Sequence, residues 1–157
     1  ISKVDRLSKI PFLPIEFFQN FEIKSEYWSH EKIFLSSGTT SSNRSRHCIK
    51  ELEFYHKVTK KCYEQVVGEL SSIRLLALLP SYQQQGNSSM IAMVDHFFNF
   101  TKEGSGYILE EDEKIIDHLL IQDDVVIIGV SYALMDMIAQ RQYDTPHIII
   151  IETGYFN

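Results

Sequence analysis

The sequence predicts an α/β domain built on a mostly parallel sheet with helices on both faces. Three observations predict it. RLLALLP at 74–80 and VVIIGV at 125–130 are short, near-continuous apolar runs, the mark of strands buried on both faces. Between such runs lie segments whose apolar residues fall at three- and four-residue spacing, the mark of amphipathic helices. Strand and helix then alternate along the chain, which implies parallel strands joined by right-handed crossovers.

Each element follows in order. IPFLPIEFF at 10–18 is aromatic and punctuated by proline. Pro14 suits the first turn of a short helix, and the aromatics are expected to pack on the domain. KIFLS at 32–36 reads as a strand running into a polar loop, and RHCIK at 46–50 as a second short strand. A helix is predicted over 51–70, with Tyr55, Val58, Cys62 and Val66 on one face. The strand at 74–80 follows, then a helix over 88–100 carrying Ile91, Val94 and Phe98. A brief strand at 106–109, a helix over 112–121, the strand at 125–130, and a helix over 132–142 with Ala133, Leu134, Met137 and Ile138 come next. HIIII at 147–151 is the last strand. In such sheets ligands bind beyond the carboxyl ends of the strands, so the loops to inspect are 36–45, 80–88, 130–132 and 152–157.

A chain of 157 residues suits one domain over 1–157 with a sizeable core. Hydrophobic residues at 44% against charged residues at 23% exclude disorder of the whole. A net charge of −6 argues against a nucleic-acid partner, since phosphate polymers need clustered cations. No apolar run is long enough for a membrane span and no signal peptide is visible, so the cytoplasm is the default location. The first residue is Ile1 and the last follows a strand-like run, which reads as a piece of something larger. If the sheet is truncated there, its exposed edge predicts a homo-oligomer or a covering partner chain.

SSGTTSSNRSR at 36–46 carries the most chemistry. Gly38 can take positive φ, so that successive N–H groups converge on an anion. Ser36, Ser37, Thr39, Thr40, Ser41 and Ser42 supply hydroxyl donors, and Arg44 and Arg46 supply charge suited to phosphate oxygens. The loop is not of the Walker type, nor is it G-x-G-x-x-G. On composition alone, a solvated turn between two strands is the simpler reading.

Other candidates are weaker. The six histidines form no i, i+4 metal pair with a nearby carboxylate ligand set, so metal binding by histidine is not expected. Asp95 and His96 read as a pocket-lining pair or, more simply, as a hydrogen-bonded histidine on a helix. Cys48 and Cys62 lack a disulfide or metal spacing and read as core residues. Tyr82, Gln83 to Gln85, Gly86 and Asn87 form either a lid near substrate or the approach to a helix capped by Asn87 or Ser88. Glu110 to Glu113 is the acidic first turn of a helix.

S-S-G-T-T after a strand resembles the phosphate loop of the adenylate-forming superfamily. IPFLPIEFF, LALLPSYQQQGNSSMIAMVDHF (76–97), IIGVSYALMDMI (127–138) and IIIIETG (148–154) fall in the order, and at about the separations, of its acyl-protein synthetases of the LuxE type. The likeness covers nearly the whole chain. It implies the N-terminal part of an adenylate-forming (AMP-binding) domain. By position it assigns Ser36, Ser37, Gly38, Thr39 and Thr40 to the β- and γ-phosphates of ATP. Glu152, Thr153 and Gly154 fall beside the adenosine. Gly129, Val130, Ser131 and Tyr132 fall near the acyl pocket, and the segment 80–88 with Tyr82 falls near the carboxylate. The family's glycine after the second threonine is Ser41 here, its Pro-Lys pair is absent, and Tyr155 stands where ETG is usually followed by glycine. The family's later aromatic-Gly-x-Thr-Glu motif is not in the sequence.

The resemblance implies two steps with ATP and Mg²⁺. A carboxylic acid, of the fatty-acid class, becomes an acyl-adenylate, and a thiol then takes the acyl group from it. The thiol belongs to a protein cysteine or to CoA. No catalytic residue is assigned. The alternative is a truncated relative that binds a nucleotide or a partner without catalysis.

Overall fold

The structure, a computed structural model, describes residues 6, 8, 10–36, 44–79, 86–108, 124–140 and 147–154. The single domain expected over 1–157 divides into two compact units, Ile1–Leu52 and Glu53–Asn157.

The first unit holds a one-turn helix α1 (Phe17–Asn20) and two strands, β1 (Lys32–Leu35) and β2 (Arg46–Ile49). The strands pair antiparallel, from Lys32 opposite Ile49 to Leu35 opposite Arg46. They form a sheet of their own rather than joining the parallel alternation read from the sequence. The cause is chain length: the segment between them is shorter than the dozen or so residues a parallel crossover needs. Pro14 does not enter the first turn of α1. Glu16 is the cap residue, and the Pro14 carbonyl accepts from the Phe17 N–H at 3.1 Å. The aromatics of this stretch pack less than expected. Phe18 stacks on His47 at 5.0 Å, whereas Phe12 is fully exposed and Phe17 and Phe21 meet each other edge-on.

The second unit is built on a four-stranded parallel sheet in the order β4-β3-β5-β6. Its strands are β3 (Arg74–Leu78), β4 (Gly106–Tyr107), β5 (Val125–Val130) and β6 (Ile148–Thr153). Helix α2 (Leu52–Val66) runs into this unit, and α3 (Ser89–Phe98) and α4 (Ser131–Gln140) lie within it. α2 ends short of the predicted Leu70 because Gly68 takes a φ of +127°, which turns the chain out of the helix. A single 3-10 turn, Leu70–Ser72, then leads into β3. α3 starts where Ser88 caps it, its hydroxyl accepting from the Ile91 N–H at 3.3 Å. The helix predicted over 112–121 lies outside the described residues.

All six residues of β5 are buried, as its unbroken apolar composition requires. Alternation then feeds two cores. Leu75, Ala77, Leu79, Val126, Ile128 and Val130 pack with Val94 and Phe97 of α3 and with Tyr63 of α2. Leu76, Val125 and Ile127 pack with Leu134 and Met137 of α4. Full burial of each Val, Leu, Ile or Phe among them is worth roughly 1.5–3 kcal/mol. β6 is less enclosed than its sequence suggests, with Ile149 and Ile150 each 46% exposed. Among the described residues it forms one edge of the sheet.

Gly129 is fixed by packing. A Cβ built on it would lie 2.7 Å from Leu134 Cγ and 3.1 Å from Leu78 Cβ, so α4 can sit this low on β5 only over a glycine. Gly129→Ala is expected to destabilise the protein by about 1–3 kcal/mol through overpacking. Urea unfolding checks this: the midpoint falls with the m-value unchanged, and an unaltered midpoint contradicts the packing account.

Candidate functional site

The carboxyl edge of the parallel sheet is where this fold class places ligands. β5 passes from Val130 straight into α4, so Ser131 is both the residue after the strand and the first of the helix. Its side chain is buried at 6% exposure, and its hydroxyl donates to Glu152 Oε1 at 2.6 Å. Glu152 lies opposite Gly129 in the β5–β6 register, and Thr153 lies opposite Val130. Gly154 follows with a φ of +121°, and a Cβ there would lie 3.6 Å from Ser131 Oγ. Two segments singled out separately in the sequence, 129–132 and 152–154, are therefore one cluster. Parallel pairing sets their backbones side by side, and a short charge-assisted hydrogen bond ties their side chains. Tyr132 stands at the rim, half-exposed.

The cluster is acidic at its surface. The Glu152 residue is exposed, so its carboxylate presents acceptor oxygens and no donor. It suits amino or hydroxyl groups of a ligand, whereas phosphate would meet like charge.

The phosphate-loop candidates fall in the first unit. The Ser36 N–H donates to the Ser45 carbonyl, and Ser36 Oγ accepts from the Ser45 N–H, both at 3.0 Å. This pair of bonds closes the base of the β1–β2 hairpin. Ser36 thus takes part in building the turn. Arg46 opens β2 and is exposed, while Arg44 is half-buried. Ser37, Gly38, Thr39, Thr40 and Ser41 lie outside the described residues, as does Tyr82.

His96 does not join the carboxyl-edge cluster. It sits in the last turn of α3, after which the chain returns to the start of β3, the Lys102 N–H donating to the Ile73 carbonyl at 3.0 Å. Its ring stacks on His56 of α2 at 4.3 Å and 9°, with Phe100 edge-on at 5.0 Å. Burial, then the neighbouring His56 and Lys60, hold the His96 pKa below its ordinary value. His56 Nε2 and the Tyr63 hydroxyl are buried and have no hydrogen-bond partner among the described residues. Burial pushes the Tyr63 pKa up to about 12. His56 was not legible as a partner of His96 because the two lie on different helices, and no spacing rule joins them.

A histidine whose folded pKa is lowered is favoured neutral by folding. The stability it lends is complete above its unfolded value of 6.5 and is lost as pH falls below that toward the folded value. Urea midpoints are therefore expected to fall between about pH 7 and pH 5, and His96→Phe, which keeps the aromatic stack, to flatten that slope. An equal slope in both proteins contradicts the assignment. Glu22 and Glu64, whose carboxyls are held low by Lys24 and Lys60, act in a separate window around and below the carboxylate value of 4.5. Comparison with protein-family models, with curated proteins and with solved structures finds no match for this chain.

Proposed function

We propose that the chain takes part in ATP-dependent activation of a carboxylic acid, of the fatty-acid class, as an acyl-adenylate, followed by acyl transfer to a thiol of a protein cysteine or of CoA. The observation that carries the reading is the Ser131–Glu152 hydrogen bond, which unites the 129–132 and 152–154 segments at the carboxyl edge of a parallel sheet. The acyl-protein synthetase resemblance assigns those segments to the acyl pocket and to the adenosine, which are adjacent in any acyl-adenylate. Under this reading the chain corresponds to the N-terminal part of an adenylate-forming domain, and the cytoplasm is the compartment that supplies its ATP.

In the first step a carboxylate oxygen attacks the α-phosphorus of ATP and pyrophosphate leaves. In the second the thiol sulfur attacks the acyl carbonyl, AMP leaves and the thiol proton goes to solvent. The chain contributes positioning and charge complementarity. Glu152, oriented by Ser131, accepts from amino or hydroxyl groups of the nucleoside. By the resemblance, Ser36, Ser37, Gly38, Thr39 and Thr40 take the role of the phosphate loop that serves the departing pyrophosphate, with Ser41, Arg44 and Arg46 as further candidates. Mg²⁺, when bound, would supply charge neutralisation on the phosphates. Gly129 and Tyr132 border the acyl chain.

A second reading, a relative that binds nucleotide or partner without catalysis, is favoured by one observation. Ser36 is engaged in closing the hairpin, as a plain turn residue would be. Calorimetry with MgATP and with a non-hydrolysable acyl-adenylate analogue tests the proposal. Thr39→Ala/Thr40→Ala is expected to weaken MgATP, and Glu152→Gln the analogue, each by about tenfold or more, or 1.4 kcal/mol. Binding without carboxylate-dependent pyrophosphate exchange supports the second reading. A folded chain that binds neither ligand overturns the first reading and leaves only the partner-binding form of the second.

A further inference from the structure

We propose that Glu22, His30 and Cys48 form a binding site for a divalent metal ion of the zinc class in the first unit. A carboxylate oxygen, an imidazole nitrogen and a thiol sulfur there all lie within 4.8 Å of one another. Glu22 Oε1 is 3.9 Å from His30 Nδ1. Tetrahedral zinc with bonds of about 2.0–2.3 Å holds neighbouring ligand atoms roughly 3.3–3.8 Å apart, so the cluster needs to contract by about 1.5 Å at most. Glu22 and His30 are exposed side chains, free enough at the surface to make that adjustment, and Cys48 is held in β2. The donor set selects the metal: a thiolate with an imidazole suits zinc and its neighbours and not magnesium or calcium. Three protein ligands leave a fourth position for water or a small ligand.

A second observation points to a cation at these atoms. The Lys24 ammonium is gathered there, ion-paired to Glu22, 3.5 Å from His30 Nδ1 and donating to the Trp28 carbonyl at 2.9 Å. It also lies 4.8 Å from the centre of the Trp28 ring, and only 14% of its side chain is exposed. Carboxylate, imidazole, carbonyl and ring face thus converge on one positive charge. A metal ion that takes Glu22 and His30 displaces the ammonium, whose flexible stem can swing to solvent. Lys24 then acts as a built-in competitor that tunes affinity. The site is independent of the nucleotide reading, since no residue of the phosphate loop contributes to it.

Cobalt(II) titration of the whole chain tests the proposal, because cobalt replaces zinc and reports sulfur ligation by a charge-transfer band. One cobalt per chain is expected, with the band and the strong visible absorption of a tetrahedral site. Cys62→Ser is expected to keep the band and Cys48→Ser to lose it. His30→Ala is expected to weaken binding by about tenfold or more. Lys24→Met, which removes the competitor and no ligand, is expected to tighten it several-fold. Zinc is further expected to slow alkylation of Cys48, read by mass spectrometry on the unaltered protein. No band at saturating cobalt overturns the proposal. So does a band that follows Cys62, or alkylation of Cys48 that zinc leaves unchanged.

Discussion

A strand buried at every position cannot leave any backbone group unpaired, because a buried N–H or C=O without a partner costs about as much as a lost hydrogen bond. β5 is such a strand. It needs a strand on each side and finds β3 and β6 there, both parallel to it. Much of the second unit follows from this requirement. The two faces of β5 must each be covered, so α3 and α4 fall on opposite core clusters. The parallel pairing with β6 sets Gly129 against Glu152 and Val130 against Thr153, which brings Ser131 within hydrogen-bonding distance of the Glu152 carboxylate. The candidate site is a consequence of how the core strand satisfies its backbone.

The same strand shows how a small change in composition controls geometry. Gly129 interrupts an otherwise bulky run, and Leu134 descends into the space its missing Cβ leaves. α4 therefore begins immediately at the strand's end and carries Ser131 inward. A longer connection would leave Ser131 in a loop with its hydroxyl in water, where a hydrogen bond to Glu152 would be worth little.

Much of the second unit was legible in the sequence because its signals are local. VVIIGV sets β5 at 125–130, RLLAL sets β3, and Ser88 ends the polar approach to α3. The last strand was legible as a strand but not as a half-exposed one, since four isoleucines in a row look the same at a sheet's edge as at its centre. The hairpin was legible as two short strands and a polar loop. Its antiparallel sense follows from connection length, a constraint outweighed in the reading by the alternation further along. Ser131 and Glu152 were each singled out, but their bond depends on register, which sequence spacing does not carry. The Glu22, His30 and Cys48 cluster was invisible for the same kind of reason: Cys48 lies far along the sequence from the other two, and only the folded first unit gathers them.

The proposed function requires the carboxyl edge at β5 and β6 to receive the nucleoside of an acyl-adenylate. The most direct test is a crystal structure of the chain with a non-hydrolysable acyl-adenylate analogue. The nucleoside is expected beyond the ends of β5 and β6, with an amino or hydroxyl group donating to Glu152 and the acyl chain beside Gly129 and Tyr132. An analogue seated elsewhere on the chain, or phosphate oxygens facing Glu152, would contradict it.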